Sequence, residues 1–529
     1  MTPASPASLL SPPPQAVLTN AFGLPFDNAV ATARTCYAPR IVTTADVSKD
    51  ERAREVRDRI ARETYQAGHH TTLQHASFQF ALERVSRQLL WSFLHAHPFY
   101  NSEQVSQRYV EVKPGNALVP ALPPRELALY RETLDQQQAA YHVLCELLLE
   151  PVGAEYFRLF PGRRGARDRW LPNVKKKAQE IARYVLPVAT HAHLYHTISG
   201  LTLHRYHRLS RSLEAPVELG LLVEAMVAAV NAHDPLFFRD IEDPLPLEAT
   251  PEAQLLEELG CGAGVGGRRA RAFNDAFDES LQGRLSKLVD YKVHAEAVLA
   301  EAVRVTVGLT PRELSDAEAI RRVLSPAENR LFAESLTLTT LSKSARALSH
   351  PHYTFRKKLS HTADSQDQRH RMVPGSRPVL AAQYAGGEPD AVLPELIARQ
   401  PAAREVYDRS LAQTFRAIDA LLDAGVAAAD ALYLLPNAFP VRFEESGDLL
   451  HLHHKWTSRL CYTAQEEIWR ASLEEVKQVR EVHPRIGEQI MPPCTLRHEA
   501  GVRPTCPEGP RYCGVPVWRL ELERYQRLI

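Results

Sequence analysis

Two stretches of this 529-residue chain are built from residue types that hold anions and flat rings. One runs from His95-Ala96-His97 to Ser106-Gln107-Arg108-Tyr109; the other is Gln366-Asp367-Gln368-Arg369-His370-Arg371. A guanidinium presents a planar pair of donors that matches a phosphate or carboxylate, and a serine hydroxyl adds another donor beside it. The first stretch keeps the end of such a set and the second keeps the beginning. Fragments of this kind make one whole site only if the chain is a tandem duplication folded as an internal pair. Taken singly, each has a plainer reading. Arg108 is then a surface arginine beside a core aromatic, and Arg369-His370-Arg371, followed by Met372-Val373-Pro374-Gly375, is a solvated basic turn.

The elements that must position these residues are partly visible. Charged faces around Val56, Ile60 and Tyr65 predict a helix over 50–67, and alternation in 76–82 predicts a half-buried strand. Further helices are expected over 126–150 and 216–231. Between 233 and 280 the chain turns Pro- and acid-rich and then Gly-dense, which marks a domain junction. Gly262-Ala263-Gly264-Val265-Gly266-Gly267 satisfies G-x-G-x-x-G, but the residues before it read as helix, so a linker is expected there instead of a dinucleotide turn. The second half repeats the order of the first. Leu348–Phe355 echoes Leu73–Phe80, and Leu186-Pro187 with Ala215-x-x-Glu218 is echoed at the same spacing by Leu435-Pro436 with Ala464-x-x-Glu467. The expected organisation is a disordered lead-in (1–15), a first domain (16–240), a linker (241–280), a second domain (281–490) and a Cys-containing extension (491–529).

The run Gly68–Phe78, then Val85-Ser86-Arg87, then Ser106–Val110, together with Arg369-His370-Arg371, resembles the flavin-dependent thymidylate synthases. That family is marked by an Arg-His-Arg triplet, a short spacer, a Ser, and an Arg two places on. The resemblance implies an α+β fold of two such domains forming an internal pseudo-dimer. It also implies methylation of deoxyuridine monophosphate (dUMP) to dTMP with FAD, NADPH and methylenetetrahydrofolate, at one composite site. Gln366 and Arg369-His370-Arg371 match the residues that one family subunit gives to the site; Ser106, Gln107, Arg108 and Arg183 match those of its partner. The family arginine that faces the uracil falls on Arg459 in the second copy and on Ser210 in the first. Arg183 has Leu432 as its counterpart.

On that resemblance Arg108, Arg183 and Ser106 would hold the nucleotide phosphate, with Gln366 and Arg369 on the nucleotide. Arg459 would stabilise negative charge on the uracil. Arg369, His370, Arg371, His69, Thr71 and His454 would lie against the flavin. A family asparagine contact to flavin is replaced by Ser199 in one copy and Asp448 in the other, and His95-Ala96-His97 replaces the first triplet, so one site is expected. The alternative is a non-catalytic homologue that keeps a nucleotide pocket for binding or regulation.

Bulk properties bound the rest. Lys+Arg 63 against Asp+Glu 63 leaves no net charge, which argues against a nucleic-acid footprint. No apolar run reads as spanning a bilayer, and the start lacks a signal-peptide pattern, so a cytoplasmic protein is expected; the family resemblance implies that it pairs as a homodimer of tandem chains. His191-x-His193-x-x-His196 and His451-x-His453-His454 have metal-like spacings without supporting carboxylates. Cys494, His498, Cys506 and Cys513 offer four zinc-type ligands in a loop-rich tail, with three ordinary cysteines in a packed extension as the plain reading. A zinc-stapled interaction protein is the third functional reading.

Overall fold

The computed structural model describes residues 9–96, 98–211, 213–239, 241–260, 264–334 and 338–529. These form two compact units. Unit one holds 1–138, 187–266 and 414–435; unit two holds 139–186, 267–413 and 436–529. Most of each unit comes from one half of the chain, completed by a segment from the other half. His97 and residues 261–263, which include the start of the expected Gly-rich turn, lie outside the described residues, as do 1–8 of the expected lead-in.

Unit one carries a four-stranded antiparallel sheet of β1 (Gln15–Ala21), β2 (Ser77–Ser86), β3 (Tyr100–Gln104) and β4 (His191–Ser199), in the order β1-β2-β4-β3. Its core-facing row on β2 is Phe78, Phe80 and Leu82, all fully buried. Unit two repeats the order with β5 (Ser286–Tyr291), β6 (His352–Ser360), β7 (Gly375–Ser376) and β8 (Pro440–Asp448), as β5-β6-β8-β7. The fold is α+β, with one antiparallel sheet per half.

In both units the strand-to-helix junctions are built alike. Ser86 ends β2 and caps the helix Arg87–His95, its Oγ accepting from Leu89 N at 2.9 Å; Ser360 ends β6 and caps His361–Asp367, accepting from Ala363 N at 3.1 Å. Ser199 caps Gly200–Arg208, and Asp448 caps Leu449–Arg459. The two copies differ by one residue where β2 bulges. Its register slips between Leu82 and Val85, and Arg84 takes a φ of 56° to absorb the extra residue. Gly200 is obligatory at its junction, because a Cβ there would stand 2.4 Å from Phe237 and 2.9 Å from the Leu73 carbonyl.

The exchanged segments are locked in by matching buried carboxylates. In unit one Glu218 accepts from Ser86 N and Oγ, both at 2.6 Å, and from the Tyr433 hydroxyl at 2.8 Å. In unit two Glu467 accepts from Ser360 N and Oγ, both at 2.6 Å, and from the Tyr184 hydroxyl at 2.6 Å. Each tyrosine belongs to the Leu-Pro segment of the opposite copy. Backbone bonds reinforce both: Val188 N to Leu435 O (2.8 Å) and Ala189 N to Tyr433 O (2.9 Å) in one, Asn437 N to Leu186 O and Ala438 N to Tyr184 O (both 2.8 Å) in the other. Burial lifts the Glu218 carboxyl to about 7, and the same cause raises Glu467.

The helices expected over 50–67, 126–150 and 216–231 are observed as Glu51–Gln66, Pro124–Leu159 and Pro216–His233. Pro216–His233 is long and apolar enough by length and composition to cross a bilayer, contrary to the expectation from sequence. Its Leu219, Leu222, Val223, Met226 and Val230 are buried within unit one. The expected linker, 241–280, holds the helix Pro251–Glu258 and all but the last residue of Gly267–Leu281.

Candidate active site

Three of the residues singled out by the sequence meet in unit two. His361–Asp367 carries Gln366 near its C-terminal end; the chain then turns, with His370 N donating to Asp367 O at 3.0 Å. Arg459, the last residue of Leu449–Arg459, donates from Nη2 to the Gln366 carbonyl at 2.6 Å and from Nε to His370 Nε2 at 2.9 Å. An arginine Nε–H can only donate, so His370 Nε2 must accept, and the ring is neutral with its proton on Nδ1. Burial, then the charges of Arg459 and Lys455, hold the imidazole well below its ordinary value, in agreement with a neutral ring. The His454 ring stands edge-on to His370, with centroids 5.9 Å apart. Arg369 is exposed and Arg371 half-buried, so the triplet sets cationic side chains at the surface beside a fixed imidazole.

Arg183 comes from the first copy yet belongs to the same unit. It is buried at 4 % exposure, and its carbonyl accepts from Asn437 Nδ2 at 3.0 Å. The next residue, Tyr184, is held by Glu467 and by Gln465 Nε2 (2.6 Å), six residues beyond Arg459. The exchanged segment thus delivers one copy's arginine into the unit that holds the other copy's triplet.

Ser106, Gln107 and Arg108 lie in unit one. Ser106 organises a tight turn, its Oγ accepting from Arg108 N at 3.2 Å and its carbonyl from Tyr109 N and Val110 N. The Arg108 guanidinium stands 5.5 Å from the centre of the Tyr109 ring. Tyr109 is half exposed, so the reading of Arg108 as a neighbour of a core aromatic fails. Gln107 is buried and lines a hollow of about 290 Å³ with Arg84, Arg87, His191 and His193. His69 lines a separate apolar hollow of about 50 Å³ with Phe26, Tyr65 and Phe237; Thr71 is exposed beside it in sequence.

A buried charge cluster lies behind the Arg459 group, and sequence reasoning missed it. Lys357 Nζ contacts Asp367 Oδ2 (2.8 Å), Glu445 Oε2 (3.1 Å) and Glu475 Oε1 (2.9 Å). Lys455 Nζ contacts the same Asp367 oxygen at 2.8 Å and Glu445. Arg377 pairs with Asp364 at 2.8 Å. Burial opposes the Asp367 charge, but Lys357 and Lys455 outweigh it and hold that carboxyl well below its ordinary value. At Glu445 burial prevails and raises the carboxyl. A signal was available: in β6 Tyr353, Phe355, Lys357 and Leu359 share the core-facing row, so alternation alone puts a lysine in the core.

The metal expectations are corrected. Among the described residues no group of three or more His, Cys, Asp or Glu is placed to hold a metal ion. Cys494 and Cys513 instead pack against the apolar core of unit two, where burial pushes their thiols up to about 12 and about 11. His498 forms no such set with them and Cys506. Strand alternation separates His196 from His191 and His193. His196 is fully buried against Ser102 and Tyr206, and burial takes it down to about 3. His453 is spent on the Gln489 carbonyl. Ser199 and Asp448, at the expected asparagine position, are helix caps; Asp448 Oδ1 accepts from His451 N at 3.0 Å and lies 2.7 Å from His451 Nδ1.

Two sheets of one order, with an arginine–histidine group at the second, define a duplicated α+β protein. The family model described as "Thymidylate synthase complementing protein" (Thy1) matches residues 18–236 and again 287–485, and the chain belongs to that family, with two copies in tandem. Flavin-dependent thymidylate synthases from Clostridium tetani and Geobacter sulfurreducens are each 27% identical to it, over 212 and 232 residues. Those alignments take in 40% and 43% of this chain but 79% and 92% of the relatives, as one copy against a single-copy protein would. A solved UMP/dUMP methylase, PolB from Streptomyces cacaoi, bound with 5-Br dUMP, is 19% identical with a TM-score of 0.28, covering 43% of this chain and 95% of that one.

Proposed function

We propose that the chain is a flavin-dependent thymidylate synthase that methylates dUMP to dTMP at one site served by both sequence copies. The observation that carries this reading is the group Arg459–His370–Gln366 in a unit that also takes Arg183 from the first copy. Arg459 is oriented by two uncharged acceptors, and a cation fixed in direction is what a uracil gaining negative charge requires. Arg183 would bind the nucleotide phosphate, and Ser106, Gln107 and Arg108 are assigned to the same nucleotide on the strength of the motif. The exposed Arg369 and half-buried Arg371 would hold FAD beside His370 and His454, with His69 and Thr71 as further contacts; their cationic and ring character suits an electron-rich isoalloxazine. When bound, the flavin supplies a hydride, recharged by NADPH, while methylenetetrahydrofolate supplies the carbon. Neutral His370 cannot protonate substrate while Arg459 occupies its Nε2; its task here is to fix Arg459.

A second reading, a nucleotide-binding homologue without turnover, is favoured by one observation: Asp448 is engaged as a cap where the family places an asparagine on the flavin. Spectroscopy of the purified chain separates the two. The enzyme is yellow and oxidises NADPH only when dUMP is present. A colourless protein that binds dUMP without oxidising NADPH would establish the second reading.

A further inference from the structure

We propose that the buried cluster Lys357–Asp367–Glu445–Lys455 is a positioning device for the Arg459–His370–Gln366 group, built into only one of the two copies. The inference rests on reading that group as the active centre. Counting from the paired caps, Ser86 with Ser360 and Ser199 with Asp448, and allowing for the bulge at Arg84, gives each cluster member a counterpart in unit one. Lys357 corresponds to Leu82, Asp367 to Phe93, Glu445 to His196 and Lys455 to Tyr206. Strand pairing agrees: Leu82 faces Leu194 as Lys357 faces Phe443, and Phe80 faces His196 as Phe355 faces Glu445.

In unit one these counterparts make an uncharged cluster. Phe93 lies 5.1 Å from His196 and 4.2 Å from Tyr206, ring to ring, and the Tyr206 hydroxyl is 3.4 Å from His196 Nε2. Leu82, on the neighbouring strand β2 opposite Leu194, is fully buried. The fold therefore does not require charge at these positions. Buried ion pairs seldom add stability over apolar residues of similar volume, because desolvation consumes the Coulombic gain. Four positions that differ together between the copies, charged in the one that carries Gln366, the Arg-His-Arg triplet and Arg459, need another explanation.

Geometry supplies it. Asp367 directly follows Gln366 and its carbonyl receives His370 N. Lys455 precedes Arg459 by four residues, so both lie on one face of the helix. The Asp367–Lys455 pair, at 2.8 Å and fully buried, ties the helix bearing Gln366 to the helix bearing Arg459. Lys357 and Glu445 anchor the pair to β6 and β8, and Trp456 Nε1 and Ser286 Oγ, donating to Glu475, complete the surrounding bonds. Such a clamp fixes the two helices in one register, which an apolar cluster free to slide by a rotamer does not. These four are positioning residues; none is assigned a contact with substrate.

The test transplants the first copy's solution into the second, as Lys357→Leu, Asp367→Phe, Glu445→His and Lys455→Tyr together, in the full chain. The expected result is a folded protein with a kcat at least about tenfold lower and KM for dUMP within about threefold. The ¹⁵N resonances of His370, assigned with His370→Gln, should lose the signature of an Nε2 acceptor. A folded variant with unaltered kcat and an unaltered His370 signature overturns the proposal. If the fourfold variant does not fold, Asp367→Asn takes its place: a lower kcat with a changed His370 signature supports the clamp, and no change in either overturns it. Should the wild-type chain make no dTMP, the thymidylate reading falls, and the His370 signature alone decides whether the cluster positions this group.

Discussion

At the level of single residues, the proposed site centres on a guanidinium, Arg459, whose direction is fixed by bonds to two residues of the same unit. Arg459 bonds a carbonyl and a neutral imidazole, and these two bonds orient the cation that the proposed reading places against the uracil. Arg459→Ala should lower dTMP formation by about 10²–10³, the usual consequence of removing one preorganised donor from a developing oxyanion. Arg459→Lys should restore little, because an ammonium lacks the planar fork that reaches the Gln366 carbonyl and His370 Nε2 together. Steady-state kinetics on both variants checks this; a lysine variant within about threefold of wild type contradicts it. The residue types are legible in the sequence, and the distance from Ala-x-x-Glu picks out Arg459. Its bonds to His370 and Gln366 are not legible, since they join residues 89 and 93 apart. Lys455 and Asp367 escape for the same reason: a charged residue reads as surface until its partner is known.

At the level of elements, the two Leu-Pro segments act as tenons. Each carries a tyrosine into the opposite copy's capping Ser–Glu pair, and each bond is buried. Tyr184→Phe and Tyr433→Phe should each reduce unfolding free energy by about 1–3 kcal/mol in urea titrations. The losses should add in the double variant, because the two locks share no partner. A double variant as stable as wild type would show that the locks contribute nothing. Glu218 predicts a pH dependence with a definite sign. Its carboxyl is raised from 4.5 to about 7 by burial, so the folded chain binds that proton more tightly than the unfolded chain. Its contribution is fully present below about pH 4.5 and is lost as pH rises through about 7, by up to about 3 kcal/mol. Stability measured from pH 5 to 8 should fall less steeply in Glu218→Gln than in wild type; an identical slope contradicts the assignment. The repeated spacing of Leu-Pro and Ala-x-x-Glu exposes the duplication from sequence. It cannot reveal the exchange, because a local motif is silent about which copy its tyrosine will bond. The helices expected near 50–67 and 216–231 emerge within a few residues, as strong periodicity and a Pro at the first turn allow.

At the scale of the whole molecule, duplication has let two copies of one fold diverge in complementary directions. The second carries Arg369-His370-Arg371 and Arg459 with a buried charge cluster behind them; the first has Ser210 at Arg459's counterpart and an uncharged buried cluster. Arg183, retained only in the first copy, is carried by the exchanged segment into the second copy's unit. Residues divided in this way are expected to be individually indispensable. The most direct measurement is growth of a thymidine-requiring bacterial strain expressing the full chain, compared with strains expressing Arg459→Ala, Arg183→Ala or Ser106→Ala. A single site served by both copies predicts growth without thymidine for wild type and its loss in all three variants, whichever copy is altered. Soluble, flavin-loaded wild-type protein that supports no growth, or growth that survives Arg459→Ala, would contradict it.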